Sequence, residues 1–138
     1  EKVGGDMAER FDNLSFHVAA LQVEIDILPD TYPNCYELDG KGSFPVEIYG
    51  NEAVDVHSID PLSISLEGMG IRTNKRGKYK VAYGYFDEDA YLDMKVDIDD
   101  DGSLDNFNGT ATLSALTDTG ALLMGSDELS DMHFCPEY

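Results

Sequence analysis

Apolar and polar residues alternate along much of this chain. The clearest run is Leu21, Val23, Ile25 and Ile27, interleaved with Gln22, Glu24 and Asp26. A period of two puts the apolar side chains on one face, which predicts a half-buried strand. Phe16 and Val18 stay apolar in the other parity. The pattern there predicts a bulge near Ala19 and Ala20, or two separate strands. Further short strands are predicted at 35–38, 43–49, 62–66, 78–86, 91–98, 110–116, 122–125 and 132–135. Turn-forming stretches separate them, among them Pro29-Asp30, Tyr32-Pro33-Asn34, Asp39-Gly40-Lys41-Gly42 and residues 74–77. One helical turn is predicted at 56–60, stopped by Pro61. Short strands at this spacing predict an all-β fold, an antiparallel sandwich of Ig-like or jelly-roll-like type. Residues 1–13 (EKVGGDMAERFDN) read as a polar arm, and residues 14–138 as one sandwich domain.

Composition narrows the class of protein. The 138 residues suit a single domain, and 42% apolar with 10% aromatic residues is too much for a disordered acidic tail. There are 28 acidic residues against 9 basic ones, a formal net charge of −19. That excess argues against nucleic acid and against anionic membrane surfaces, both of which attract clustered Lys and Arg. It also makes the folded chain repel itself, so salt, bound cations or a basic partner would relieve it. No apolar run approaches the roughly 18 residues of a membrane span. The chain begins at Glu1 rather than Met, as removal of a signal peptide or trimming would leave it. Cys35 and Cys135 are either two buried thiols or one disulfide tying an early strand to the C-terminus. The even count, the lack of C-x-x-C and the near-terminal position of Cys135 favour the disulfide, and with it an extracellular or cell-surface setting.

The sharpest candidate chemistry lies at 97–105, Asp-Ile-Asp-Asp-Asp-Gly-Ser-Leu-Asp. Asp97, Asp99, Asp101 and Asp105 fall at loop positions 1, 3, 5 and 9, with Gly102 at 6, the Ser103 carbonyl at 7 and apolar Leu104 at 8. Calcium takes six to eight oxygen ligands, and such spacing wraps carboxylates around one ion. The segment resembles the calcium loops of EF-hand, dockerin and thrombospondin type 3 proteins, departing from them at position 12, where Asn108 stands. Asp87, Asp89 and Asp93 form a second candidate with cation-loop spacing, but Ala90 sits where a glycine is expected.

Other signals are less specific. Arg72, Lys75, Arg76, Lys78 and Lys80 crowd into nine positions, which predicts an exposed basic hairpin or a patch that docks on an acidic face of another copy. His17, His57 and His133 lie far apart, no nucleophile elbow or Gly-rich phosphate loop occurs, and nothing marks a catalytic carboxylate pair. The chain lacks Trp but has eight Tyr, which could stack on sugars or pack within strands.

A longer series runs along residues 23–130: Ile25-Asp26-Ile27 with Pro29, Tyr32-Pro33-Asn34, Phe44-Pro45-Val46-Glu47-Ile48, Ile59-Asp60-Pro61, Leu66-Glu67-Gly68 and Thr117-Asp118-Thr119-Gly120. In order and spacing it resembles a β-rich accessory domain of secreted bacterial and archaeal proteins. The resemblance implies a β-sandwich without catalysis of its own, placed beside enzymes, anchors or adhesins. It also implies an acidic calcium-type loop ahead of a Tyr-Leu-Asp segment, here Asp87, Asp89 and Asp93, with Glu88 and Ala90 in place of glycines. The expected function is a calcium-binding extracellular module for adhesion or assembly. Its partner would be another copy or a different surface protein, and Phe16, Val18 and Leu21 could act as a strand donated to a neighbour's open edge or pair within their own sheet. The alternative is a carbohydrate-binding module of a secreted hydrolase.

Overall fold

The computed structural model describes residues 20–135. The expected arm, and Phe16, Val18 and His17, lie outside the described residues. Among the described residues nine strands form two sheets: β1 (Leu21–Gln22), β2 (Glu24–Ile27), β3 (Cys35–Tyr36), β4 (Ser43–Tyr49), β5 (Ser65–Leu66), β6 (Val81–Gly84), β7 (Asp93–Asp99), β8 (Asn108–Leu116) and β9 (Leu122–Asp131). One sheet has the order β1-β9-β8-β5, with β3 also on β9; the other has the order β2-β4-β7-β6. The fold is therefore the expected all-β sandwich. Pairing is antiparallel except for β1 and β3, which lie parallel to β9.

Period-two burial builds the core. Ile25 and Ile27, Phe44, Val46 and Ile48, and Met94, Val96 and Ile98 face inward from one sheet, against Ala111, Leu113, Ala115, Leu123 and Leu129 from the other. Burying such side chains drives the two sheets together at roughly 25 cal/mol per Å² of apolar surface.

The alternating run 21–27 is not one strand but two. Leu21 and Gln22 pair with Leu123 and Met124, then the chain crosses at Val23, whose N–H donates to the Met124 carbonyl at 3.0 Å, and β2 joins the other sheet. Leu21 is thus paired within its own chain. The crossing needs Gly125: a Cβ there would stand 2.6 Å from the Val23 carbonyl oxygen and 3.0 Å from an Ile25 methyl. Gly125→Ala is expected to destabilise the protein by about 1–3 kcal/mol, through overpacking against backbone that cannot yield. A denaturant midpoint equal to that of the native sequence would contradict this.

After β2 the chain returns at Cys35 to the same edge of β9. In the gap between β1 and β3, one Asp127 carboxylate oxygen accepts the Ile27 N–H and the Asn34 side-chain amide, each at 2.9 Å. It stands in for the missing strand partner. Cys35 and Cys135 form a disulfide, with Cα atoms 6.5 Å apart across 100 residues of sequence.

Several predicted bounds need correction. The segment 62–66 begins as a 3-10 turn, Pro61–Ser63, because Asp60 caps it through the Leu62 N–H at 3.2 Å. The last expected strand is another 3-10 turn, Met132–Phe134, and a third spans Val56–Ser58, so the described residues hold three such turns where one is expected. Strand β9 runs on to Asp131 through the polar Ser126, Asp127 and Glu128, because it pairs with β8 from Leu122 to Ser130 and with β3 at Ser130 and Asp131. Of 78–86 only Val81–Gly84 joins the sheet: Phe86 folds back over Gly84, where a Cβ would meet its ring at 2.9 Å. Among the described residues no helix is long and apolar enough to cross a membrane.

Candidate metal centre

Strand geometry decides the fate of the 97–105 loop. β7 extends to Asp99, so Asp97 and Asp99 sit on one face of an extended chain, about 7 Å apart along it. A cage around one ion needs them curled together. Asp99 instead takes the Arg72 guanidinium, with Nε at 2.8 Å and Nη2 at 2.6 Å, and Asp97 borders the basic hairpin beside Lys78 and Lys80. Asp101 closes a local turn by accepting the Ser103 N–H at 2.9 Å, and the Ser103 hydroxyl and N–H hold its carboxyl below the ordinary range. Ser103 and Asp105 are exposed. The residue that turns inward is Asp100, only 2% exposed, which accepts N–H groups from Gly40 at 2.9 Å and Gly102 at 3.0 Å. The spacing pattern gave no sign of that role, since Asp100 occupies no ligand position.

The second candidate converges. Oxygens of Asp87, Asp89 and Asp93 all lie within 4.8 Å of one another, and this is the group of His, Cys, Asp and Glu that does so among the described residues. Two elements position it. Asp93 opens β7 and is fully buried: one oxygen accepts the Gly50 N–H at 3.0 Å, and the other accepts those of Phe86 and Asp87 at 2.9 and 3.2 Å. The turn after β4 can approach this closely because residue 50 is glycine; a Cβ there would collide with the Leu92 carbonyl oxygen. The loop 85–92 then brings up Asp87 and Asp89, both exposed. Asp87 accepts the Asp89 N–H at 3.3 Å, and Asp89 accepts the Tyr91 N–H at 2.9 Å. Each of these bonds uses one oxygen and leaves the other uncommitted. Glu88 between them has φ +62°, a left-handed conformation that favours glycine, at a position where the resembled pattern carries one.

The donor set consists of hard carboxylate oxygens without thiol or imidazole, which suits calcium, magnesium or manganese over softer metals. Two outward carboxylates and a buried third leave room for water to complete a shell. A bound cation would offset the repulsion of Asp87 and Asp89 at close range.

The remaining candidates are scattered. The Tyr36 hydroxyl donates to the Ser43 carbonyl at 2.9 Å, and that of Tyr49 donates to Glu47 at 2.9 Å. Burial, then nearby carboxylates, pushes both phenols up. Tyr32, Tyr79, Tyr83, Tyr85 and Tyr91 are exposed. His57 packs its ring on Tyr83 at 4.4 Å, while His133 approaches Asp131 at 3.6 Å. Burial and the Asp127 charge raise the Asp26 carboxyl. A carboxyl raised in the folded state binds its proton more tightly there, so it contributes stability at low pH that is lost as pH rises through the folded value. Asp26→Asn is accordingly expected to raise the melting midpoint at neutral pH and to give no gain below the ordinary carboxylate range. A midpoint lowered at neutral pH would contradict that.

Compared with protein-family models, with curated proteins and with solved structures, the chain matches none of them.

Proposed function

We propose that this chain is a non-catalytic, extracytoplasmic β-sandwich module, stabilised by a divalent cation at Asp87, Asp89 and Asp93 and used for adhesion or assembly. The observation that carries the reading is the convergence of those three carboxylates where β7 meets the loop 85–92. Three features support it further. The disulfide is compatible with an oxidising, extracellular compartment. A net charge of −19 creates the repulsion that a bound cation relieves. Hard oxygen donors are what calcium prefers. In mechanism, the ion would bridge the exposed carboxylates of the loop to the buried start of β7 and so hold the end of the sheet in one shape.

The test is direct titration. Isothermal calorimetry with calcium should show saturable binding, and Asp87→Asn with Asp89→Asn should abolish it while leaving the strand spectrum intact. Heat no larger than the dilution blank with the native sequence would end the reading.

A second reading, a carbohydrate-binding module, is favoured by one observation. Tyr79, Tyr83, Tyr85 and Phe86 are 38–60% exposed, on or beside edge strand β6. Such rings could stack on sugar faces. Glycan-array binding that disappears with a chelator would favour it over the assembly reading.

A further inference from the structure

The charge of this protein is divided sharply in space. Arg72, Lys75, Arg76, Lys78 and Lys80 are five of its nine basic residues, and no acidic residue lies among positions 68–80. The fold gathers them on one projection. Ile71 bridges to Ile98 and Val81 pairs with Val96, so the chain on either side of residues 72–80 runs along the same edge of β7. The nine residues between loop outward as a hairpin, closed by the Thr73–Tyr79 bridge and by the Asn74 N–H donating to the Lys78 carbonyl at 2.8 Å. All nine are exposed. Among the described residues, Arg72 is the one cation of the five that pairs with a carboxylate, Asp99. The others reach into solvent.

A groove of about 360 Å³ lies at the start of β7, lined by Glu52, Asp55, Ala90 and Tyr91 among others. Asp87, Glu88 and Asp89 belong to the same loop as Ala90, and all five acidic residues are exposed. No cationic side chain forms an ion pair with them among the described residues. The hairpin leaves β7 near Asp97, roughly 13 Å along the strand from Asp93. Finger and groove are therefore separate surfaces of opposite sign: the hairpin presents Lys75, Arg76, Lys78 and Lys80 without an ion pair among the described residues, and the groove presents Glu52 and Asp55, with Asp87, Glu88 and Asp89 on the loop beside it.

We propose that the 72–80 hairpin of one copy docks on the groove lined by Glu52 and Asp55, beside the 87–89 loop, of a second copy. The proposal rests on the assembly reading and adds to it the partner and the two surfaces. The partner follows from charge: the surface that fits a cationic finger is a concave acidic one, and this chain carries such a groove. Because the two surfaces differ, the contact is heterologous. Successive copies add head to tail, giving a ring if the rotation closes and a filament if it does not. Complementary charge speeds the encounter and fixes its register, and it weakens in salt, since the screening length falls from about 30 Å at 0.01 M to about 3 Å at 1 M.

The experiment is sedimentation velocity on the full chain in chelator, which removes cation-bridged association. The native protein should sediment as concentration-dependent oligomers at low ionic strength and as a monomer in molar salt. Two charge-reversed variants follow, Lys75→Glu with Arg76→Glu, and Glu52→Lys with Glu88→Lys. None of these side chains belongs to the cation cluster or the core. Each variant alone should associate at least about tenfold more weakly, and mixing them should restore association, since each then presents the surface the other lacks. Calcium binding should persist in the hairpin variant, so failure here leaves the cation reading standing, and loss of the cation reading leaves this result readable. The proposal is overturned by a native protein that is monomeric at all salt concentrations, by a hairpin variant that associates as the native protein does, or by a mixture that stays monomeric. A monomer that instead binds a carboxylated polysaccharide through the hairpin would also overturn it.

Discussion

Replacing both Cys35 and Cys135 with serine is expected to lower the unfolding free energy by about 4 kcal/mol. The bond closes a loop of 100 residues, nearly the whole sandwich. Opening it gives the unfolded chain back the freedom that the crosslink removes, and the chain-entropy account puts that near 4.7 kcal/mol for such a loop. The bond also fixes β3 to the end of the chain beyond β9, where its strand pairing spans only two residues. For a domain of this size the melting midpoint should drop by about 15 °C. Reduction of the native protein should give the same drop. A midpoint that moves by less than about 3 °C would show that the sandwich does not depend on the crosslink.

Asp93→Asn carries the second large effect, about 3 kcal/mol. Its carboxylate is fully buried and accepts three backbone N–H groups, from Gly50, Phe86 and Asp87. An amide of the same shape presents an NH2 to one side of that set, so at least one buried donor faces another donor. Leaving a buried polar group unpaired costs more than the bond itself contributes. This effect should persist in chelator, because it arises from hydrogen bonds that need no ion. Chemical denaturation in chelator checks it. Equal midpoints for the variant and the native protein there would mean that Asp93 matters through a cation alone.

The sequence disclosed the architecture better than the site. Period two was legible because each sheet has one buried face, and β4 falls where the pattern of Phe44, Val46 and Ile48 put it. The sheet switch at Val23 was not legible, since alternation continues unbroken while the chain changes partners. The signal was Gly125, a strand glycine far away in sequence whose missing side chain lets Val23 cross. The charged stretch 78–80 looked like strand because it adjoins one; it departs from β7 into the hairpin instead.

Acidic spacing and acidic convergence part company for a related reason. Spacing of acidic residues is a local signal, and it takes no account of whether the backbone curls or extends. At 97–99 the ladder with β4 keeps the chain extended, so good loop spacing yields dispersed carboxylates. At 87–93 the chain leaves β6 and turns back to β7, so imperfect spacing yields convergent ones. Asp93, Asp100 and Asp127 show what much of the acidity does within the fold: buried or half-buried carboxylates accept backbone N–H groups where loops meet the sheets.

The central claim is that the loop at 87–93 holds a hard divalent ion in the folded state. Thermal unfolding in chelator and then in excess calcium, on the native protein and on Asp87→Asn with Asp89→Asn, tests it most directly. An ion that binds the folded chain alone adds about 2.7 kcal/mol at a hundredfold excess over its dissociation constant, so the native midpoint should climb by several degrees while the variant stays where it was. Superimposable native curves with and without calcium, or an equal rise in the variant, would contradict the account.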